Sequence, residues 1–410
     1  MDYYDQLETR DPERREQEML AAIRGQLSHA KTWSSACAAL LENVSPESVT
    51  DRATLAAVPV TRKSRLISLQ AEQPPFGGLA ATELSKLTRV FQSPGPIYEP
   101  QARRDDYWRM ARALFAAGIR PGDLVHNAFS YHFTPAGAML ESGAEAIGCP
   151  VFPAGVGQTE QQVQAIRDLR PRGYVGTPSF LGIIFDKADE MGVELDSVRS
   201  ALVSGEALPK RLRERLAERG IRALQAYATA DLGLIAYETE ALEGMVCDEG
   251  VLVEIVRPGT GDPVPEGEVG EIVVTTLNPD YPLIRFATGD LSAILPGVSP
   301  CGRTNTRING WMGRADQTTK VRGMFVHPEQ VAAVVSRHAE IGRARLVVST
   351  DNERDRLVLH CETSAPNSEL ADAVQQSLRD LCKLRGEVEF VGPNTLANDG
   401  KVIDDQRTYD

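Results

Sequence analysis

Between about residues 104 and 297, short apolar runs alternate with amphipathic stretches of helix length, and this restricts the chain's fold more than any other feature. Residues 124–128, 150–153 and 173–176 read as strands, the second of them short and buried. Residues 107–117, stopped at Gly118, then 134–147 and 160–169 read as the intervening helices. Strands alternating with helices of this length build a mostly parallel sheet covered on both faces.

The flanks read differently. Residues 8–43 are polar and helix-prone, with Met19, Leu20, Ile23 and Leu27 at helical spacing. Residues 51–68 read as a helix, a turn and a new start. Near residue 250 the composition shifts: 251–256 and 270–276 are strand-like and joined by a Gly/Pro-rich stretch, as in a β-rich subdomain. After Asp316 a helix (326–338), two strands (344–349 and 356–362) and a second helix (368–384) form a separate pattern. A chain of 410 residues exceeds one small core. The expectation is an α/β protein: a large N-terminal domain, residues 1–315, with mostly parallel sheets and a β-rich subdomain, then a small α+β domain, residues 316–410.

Charge and composition exclude several function classes. A net charge of −13 argues against a general nucleic-acid surface or an anionic membrane as partner. No apolar run approaches the roughly 20 residues that span a bilayer, and the acidic start Met1-Asp2-Tyr3-Tyr4-Asp5 lacks a signal peptide's apolar stretch. Six cysteines without CxxC spacing suit reduced thiols. The expected location is cytoplasmic. Gly155-Val156-Gly157 is followed at 160 by Glu160, so the dinucleotide fingerprint fails. There is no GxSxG elbow, and no histidines stand at metal spacing.

Five segments carry candidate chemistry. Ser204-Gly205-Glu206-Ala207-Leu208 follows an apolar strand, and its small residues let backbone approach a flat base; a strand-to-helix turn without ligand reads the same way. Tyr227-Ala228-Thr229-Ala230-Asp231 comes about twenty residues later, and a buried tyrosine with its hydroxyl satisfied is the plain alternative. In Arg285-Phe286-Ala287-Thr288-Gly289-Asp290, a carboxylate after Thr-Gly at a strand end suits two vicinal hydroxyls. Gly313-Arg314-Ala315-Asp316 is a charged turn between two domain patterns. In Asn398-Asp399-Gly400-Lys401-Val402-Ile403, one ammonium on a glycine turn suits negative charge that develops in a transition state. Most such lysines are simply solvated.

In that order and rough spacing, these segments resemble the adenylate-forming enzymes, most closely the phenylacetate–coenzyme A ligase family. Leu124-Val125-His126-Asn127, Gly148-Cys149-Pro150-Val151 and Thr159-Glu160-Gln161-Gln162-Val163 extend the likeness over roughly residues 105–405. The resemblance implies activation of a carboxylate by ATP with Mg2+, then transfer to coenzyme A, and a mobile C-terminal domain. It places Gly205, Glu206 and Ala207 at the nucleotide, Tyr227 on the adenine, Asp231 by Mg2+ and Asp290 on the ribose hydroxyls. Arg314 would face phosphate or ribose, and Asp316 would be the hinge. Lys320 and Gly323 belong to a loop (320–328) that reaches the site in the thioester-forming pose. Lys401 would be catalytic. Tyr131, Phe133 and Thr134 would line an aryl-acid pocket with Ala228 near its floor, for a small aromatic acid. Relatives often dimerise, which makes a homodimer possible.

The chain also departs from the family pattern. Asp231 replaces the usual glutamate, and Ala230 stands where a hydroxyl contacts phosphate. The Ser/Thr/Gly phosphate loop expected near residue 93 is replaced by Phe91-Gln92-Ser93-Pro94-Gly95-Pro96-Ile97-Tyr98-Glu99-Pro100. Two prolines remove amide donors, and Glu99 reads as a charge that repels phosphate, leaving Arg103 and Arg104 as nearby substitutes. Of the positions that hold structural zinc in some relatives, Thr239, Val246, Ser299 and Cys301, one alone is a thiol, so no structural zinc is expected. The leading expectation is an aryl-acid–coenzyme A ligase. Its rivals are an adenylating enzyme with another acceptor, such as a carrier thiol or an amine, and a non-catalytic ligand-binding descendant.

Overall fold

The computed structural model describes residues 2–315, 317, 319–321, 324–351 and 354–407. Contacts group the chain into two units. The first comprises Met1–Val253, Val274–Phe286 and Leu295–Trp311; the second comprises Glu254–Val273, Ala287–Ile294 and Met312–Asp410.

In the first unit the helix Pro12–Trp33 starts where Asp11 accepts a hydrogen bond from the Arg14 amide. It buries Met19, Leu20, Ile23 and Leu27, the four positions its spacing marked; each such side chain contributes about 1.5–3 kcal/mol. The strands follow in chain order: β1 Thr61–Arg62, β2 Leu87–Ser93, β3 Ile97–Ala102, β4 Val125–Asn127, β5 Val151–Phe152, β6 Gly173–Gly176, β7 Ser200–Val203, β8 Arg222–Thr229, β9 Gly233–Glu238 and β10 Met245–Cys247. β11 Val251–Val256, β12 Gly270–Thr276, β13 Phe286–Ser292 and β14 Ile294–Leu295, each with residues in both units, come next, then β15 Arg307–Ile308.

Among the described residues the largest sheet has nine strands in the order β14-β15-β10-β9-β8-β7-β6-β4-β5. From β5 through β8 all pairings are parallel, and β8 to β9 turns antiparallel. The parallel, helix-covered half from β5 to β8 is what the alternation predicts; the other half differs, since β9 with β10 and β10 with β15 also pair antiparallel. One core cluster joins β4, β6, β7 and β8 to the helices Ala111–Ala117 and Ala136–Ile147. A second joins β6 and β7 to the helices Thr159–Leu169, Pro178–Met191 and Lys210–Glu218. A further sheet of four runs β1-β13-β12-β11.

Three helices begin later than their sequence patterns suggest, the one expected from 134 at Ala136. The stretch expected from 107 is helical only over Ala111–Ala117, because Asp106 and Arg109 adopt left-handed backbone at φ 43° and 62°. The Arg109 guanidinium is committed to Asp248 and to the carbonyls of Leu232 and Leu234. The helix expected over 326–338 spans Pro328–Ser336, since Val326 pairs with Thr319 and proline suits a helix's first position.

In the second unit a hairpin of β16 Thr319–Val321 and β17 Met324–Val326 precedes that helix. β18 Ala344–Asp351, β19 Arg354–Glu362, β20 Glu387–Val391 and β21 Ile403–Asp405 form a sheet ordered β20-β19-β18-β21, with the helix Ser368–Cys382 packed in the same core. Among the described residues no helix is long and apolar enough to cross a membrane. All six cysteines are buried and unpaired.

Candidate active site

In the first unit the chain leaves β7 into solvent, and Gly205, Glu206 and Ala207 are exposed. The turn is pinned from below: Ser204 Oγ donates to Ala226 O (2.7 Å) and the Leu208 amide donates to Gln225 Oε1 (2.6 Å). Gly205 has φ +82°, and a Cβ there would meet only Thr177 Cγ2 at 3.7 Å. The backbone is therefore open to a flat ligand, in a conformation that suits glycine. Tyr227 and Ala228 lie inside β8 rather than beyond it, with Tyr227 buried. The register against β9 shifts between these two residues, a bulge of the kind that re-aims side chains beside a site.

Asp231 follows at once, its side chain fully buried. Lys63 Nζ sits 2.6 Å from its Oδ2, while its Oδ1 has no hydrogen-bond partner. No spacing or motif marks Lys63 in the sequence; it enters because Arg285 holds the segment before it. The buried Arg285 donates to the carbonyls of Ala56 and Val58, each at 2.6 Å, and its own carbonyl accepts from the Thr61 amide. Arg285, the first residue of a candidate segment, is thus a strut for the strand that delivers Lys63.

The stretch that replaces the phosphate loop is a tight antiparallel hairpin of β2 and β3, closed between Ser93 and Ile97. Glu99 on β3 is fully buried and accepts hydrogen bonds from the Ser93 amide (3.2 Å) and the Ser93 hydroxyl. Burial first, then the negative charge of Asp231, outweigh the help of Ser93 and Lys63 and push the Glu99 carboxyl up to about 8. At neutral pH it keeps its proton, which corrects the expectation that it repels phosphate. Its ordinary value is 4.5, so between pH 4.5 and 8 the unfolded chain loses this proton while the folded chain retains it, and stability falls as pH rises. Glu99→Gln is therefore expected to raise the melting temperature more at pH 8 than at pH 5, measured by calorimetry at both values. Arg104 does not serve as a free phosphate group, because it donates to Asn278 Oδ1 (2.7 Å) and Asp280 Oδ2 (2.8 Å).

The hairpin also meets the proposed acid-pocket segment: the Gln92 amide donates to Phe133 O at 2.9 Å. Phe133 is 74% exposed at φ 61°, so its ring is not core. Thr134 is half-buried. The Tyr131 hydroxyl donates to Glu141 Oε2 (2.6 Å) and accepts from Asn127 Nδ2 (2.8 Å). Burial and the Glu141 carboxylate raise its pKa, so the phenol stays neutral. Elsewhere in this unit Cys301 Sγ lies 3.0 Å from Ser299 Oγ and accepts from Arg303 Nη1 at 3.6 Å. Burial raises this thiol, but hydrogen bonds from Ser299, Thr239 and Arg303 leave it below its ordinary value. Among the described residues no group of three or more His, Cys, Asp or Glu is placed to hold a metal ion.

In the second unit residues 312–315 run antiparallel beside 289–291, through Met312 N to Leu291 O (2.9 Å), Leu291 N to Gly313 O (2.9 Å) and Ala315 N to Gly289 O (2.7 Å). That pairing sets Arg314 Nη1 3.0 Å from Asp290 Oδ1. A Cβ on Gly289 would come within 3.1 Å of Arg314 Nη2, so glycine makes room for the guanidinium. Arg314, Gln317, Lys401 and Asp404 line one cavity of about 310 Å³. Lys401 Nζ donates to Asp404 Oδ1 at 2.7 Å, and that ammonium holds Asp404 below the usual carboxylate range against the opposing effect of burial. Asn398 accepts from the Val269 amide (2.9 Å) and donates to Gly267 O (3.1 Å), which anchors the start of the lysine loop. Lys320 lies on β16; Asp316 and Gly323 fall outside the described residues.

Known proteins are similar to this chain in sequence and in fold. Residues 128–278 match the AMP-binding enzyme family. The phenylacetate-coenzyme A ligase of Thermus thermophilus is 32% identical over 339 residues, 79% of this chain and 75% of the relative. That of Escherichia coli is 32% identical over 304 residues, covering 70% and 68%. The crystal structure of 2-hydroxyisobutyryl-CoA ligase in an open conformation, in complex with 2-HIB-AMP and CoA, superposes with a TM-score of 0.72 at 26% identity, over 95% of this chain and 90% of that one. With the α/β fold, the open Gly205 turn and the Asp290–Arg314 pair already in place, these likenesses show that the chain belongs to the phenylacetate–coenzyme A ligase family of the adenylate-forming enzymes.

Proposed function

We propose that the chain is an AMP-forming carboxylate–coenzyme A ligase acting on a small, phenylacetate-like aromatic acid. The observation that carries this reading is the second unit's arrangement of Asp290, Arg314 and Lys401: a hydroxyl-accepting carboxylate bonded to a guanidinium, which shares a cavity with a lysine. In the first step the acid's oxygen attacks the α-phosphorus of ATP, forming acyl-adenylate and releasing pyrophosphate. In the second the coenzyme A thiol attacks the acyl carbon and AMP leaves with the bonding electrons. Asp290 takes the ribose hydroxyls, Arg314 faces phosphate or ribose, and Gly205, Glu206, Ala207 and Tyr227 bracket the adenine. Tyr131, Phe133, Thr134 and Ala228 line the acid's slot. Lys401 meets the charge that builds on the carboxylate and α-phosphate oxygens. The C-terminal segment then rotates about Asp316, bringing Lys320 and Gly323 in for thioester formation.

Asp231 fits a divalent cation, since its buried Oδ1 has no partner. It would hold Mg2+ there, which would supply neutralising charge for the triphosphate. Lys63 adds an ammonium that the altered hairpin lacks. A structural zinc has one thiolate to bind it, Cys301, already engaged by Ser299, which supports a zinc-free chain. The enzyme is cytoplasmic in this reading, works alone or as a homodimer, and takes small-molecule partners; its acidic net charge of −13 supports the exclusion of nucleic acid and of anionic membranes.

The test is incubation with Mg-ATP, hydroxylamine and a panel of aryl acids without coenzyme A, reading hydroxamate and AMP. Product with an arylacetate supports the proposal; product only with aliphatic acids overturns the aromatic assignment. Silence together with no nucleotide binding overturns catalysis. Asp290→Asn removes charge-assisted hydrogen bonds worth about 1.5–3 kcal/mol. It is expected to lower kcat/KM for ATP roughly 10- to 150-fold while leaving KM for the acid unchanged.

A further inference from the structure

Lys401 alone does not decide where its ammonium lies; the peptide units on either side of it do. Arg345 donates to Lys401 O (3.1 Å) and Asp399 Oδ1 accepts from Lys401 N (3.0 Å), but one side chain reaches both units. Gln317 Nε2 donates to Gly400 O at 2.9 Å, and Gln317 Oε1 accepts from Val402 N at 2.5 Å and Ile403 N at 2.8 Å. The amide thus brackets Lys401, bonding to the carbonyl just before it and to the two amides just after. Ile403 in turn is buried and registered against Leu346 of β18, so the far end of the bracket rests on the domain's sheet. Gly400 at φ +70° supplies the bend that brings both ends of the arch to one side chain. Gln317 directly follows Asp316, the proposed hinge residue.

From this geometry we infer that Gln317 is a positioning residue for adenylation: it fixes the Lys401 arch, so that the ammonium keeps one place in the cavity it shares with Arg314. The inference rests on the proposed role of Lys401. An aspartate or a hydrophobic residue at 317 does not reproduce the bracket, because the arch presents one acceptor and two donors and an amide of this length matches both kinds. Gln317, Lys401 and Arg314 line the same cavity, so a loosened arch displaces the ammonium relative to the guanidinium that faces the nucleotide. Displacement of a reacting group by about 1 Å costs up to roughly 100-fold.

The experiment measures the two half-reactions separately in the full chain. Adenylation is read as hydroxamate release from Mg-ATP and an arylacetate, and thioester formation as consumption of supplied acyl-adenylate by coenzyme A. Gln317→Ala is expected to lower kcat for adenylation about 10- to 100-fold with KM for ATP and the rate of thioester formation unchanged. Gln317→Glu keeps the acceptor for Val402 and Ile403 but not the donor to Gly400, and is expected to fall between wild type and Gln317→Ala. Lys401→Ala is run beside them. If it loses adenylation while both Gln317 variants adenylate at the wild-type rate, the inference is overturned and the lysine's role stands. If Lys401→Ala adenylates normally, the lysine's role itself fails. An equal fall of both half-reactions in Gln317→Glu, with its melting temperature unchanged, also overturns the inference, because it places Gln317's effect outside the lysine arch.

Discussion

Lys401→Ala is expected to lower the adenylation half-reaction roughly 10²- to 10³-fold, the usual cost of removing one donor aimed at developing transition-state charge. Conversion of supplied acyl-adenylate to thioester should remain near the wild-type rate. The structure makes the split readable. Lys401's partner is Asp404, three residues on, and the lysine side chain is 49% exposed. An exposed pair of this kind contributes about 0–1 kcal/mol, so the variant should keep its melting temperature and report chemistry rather than folding. Asp404, its partner at 2.7 Å, lines the same cavity as Arg314, so the ammonium already lies in the space that the proposed chemistry needs. Lys401→Arg keeps the charge but replaces a compact ammonium with a planar fork, so partial activity is expected. Equal loss of both half-reactions in Lys401→Ala would count against the assignment.

The sequence is most informative where burial is periodic. Met19, Leu20, Ile23 and Leu27 sit on one helix face because 3.6-residue spacing forces them there, and the structure buries all four. The short strand 173–176 shows as a buried, largely apolar run because helices cover both faces of a parallel sheet, whereas β4 buries the polar His126 and Asn127 as well. Element starts are less legible: Arg109 leaves the helical region for a buried aspartate 139 positions away in the chain, which no local pattern encodes. The site divides along the same line. Thr288-Gly289-Asp290 is visible in the sequence, but it lies within β13 rather than at the strand end expected, and its glycine combines a φ of +77° with room for Arg314. Glu99 is misread as a charge because its proton depends on burial and on Asp231, which lies distant in sequence. Lys63 goes unseen for a related reason. Its role comes from a contact 168 positions away, made through a strut, Arg285, whose own segment reads as nucleotide chemistry. Side chains that bind by backbone shape leave a local signature, whereas those that act through long-range charge leave none.

That long-range pair carries the other large effect. Lys63→Met should destabilise the chain by about 3–5 kcal/mol, the cost of leaving a buried charge without its partner. The asymmetry of the pair sets this size: the Asp231 side chain has no exposure, whereas that of Lys63 retains 28%. Removing the lysine strands a carboxylate that already faces Glu99 and has one oxygen without a hydrogen bond. Removing the acid instead leaves an ammonium that can turn toward water, so Asp231→Asn should cost clearly less. The double variant Lys63→Met, Asp231→Asn separates structure from chemistry. It contains neither a buried carboxylate nor a stranded ammonium at this point, so most of the lost stability should return in urea unfolding. Adenylation should not return, because both the acid proposed to hold the triphosphate's cation and the nearby ammonium are gone. A Lys63→Met protein that unfolds at the wild-type urea midpoint would show that Asp231 does not depend on this ion pair. A double variant that regains adenylation would remove both residues from the nucleotide site.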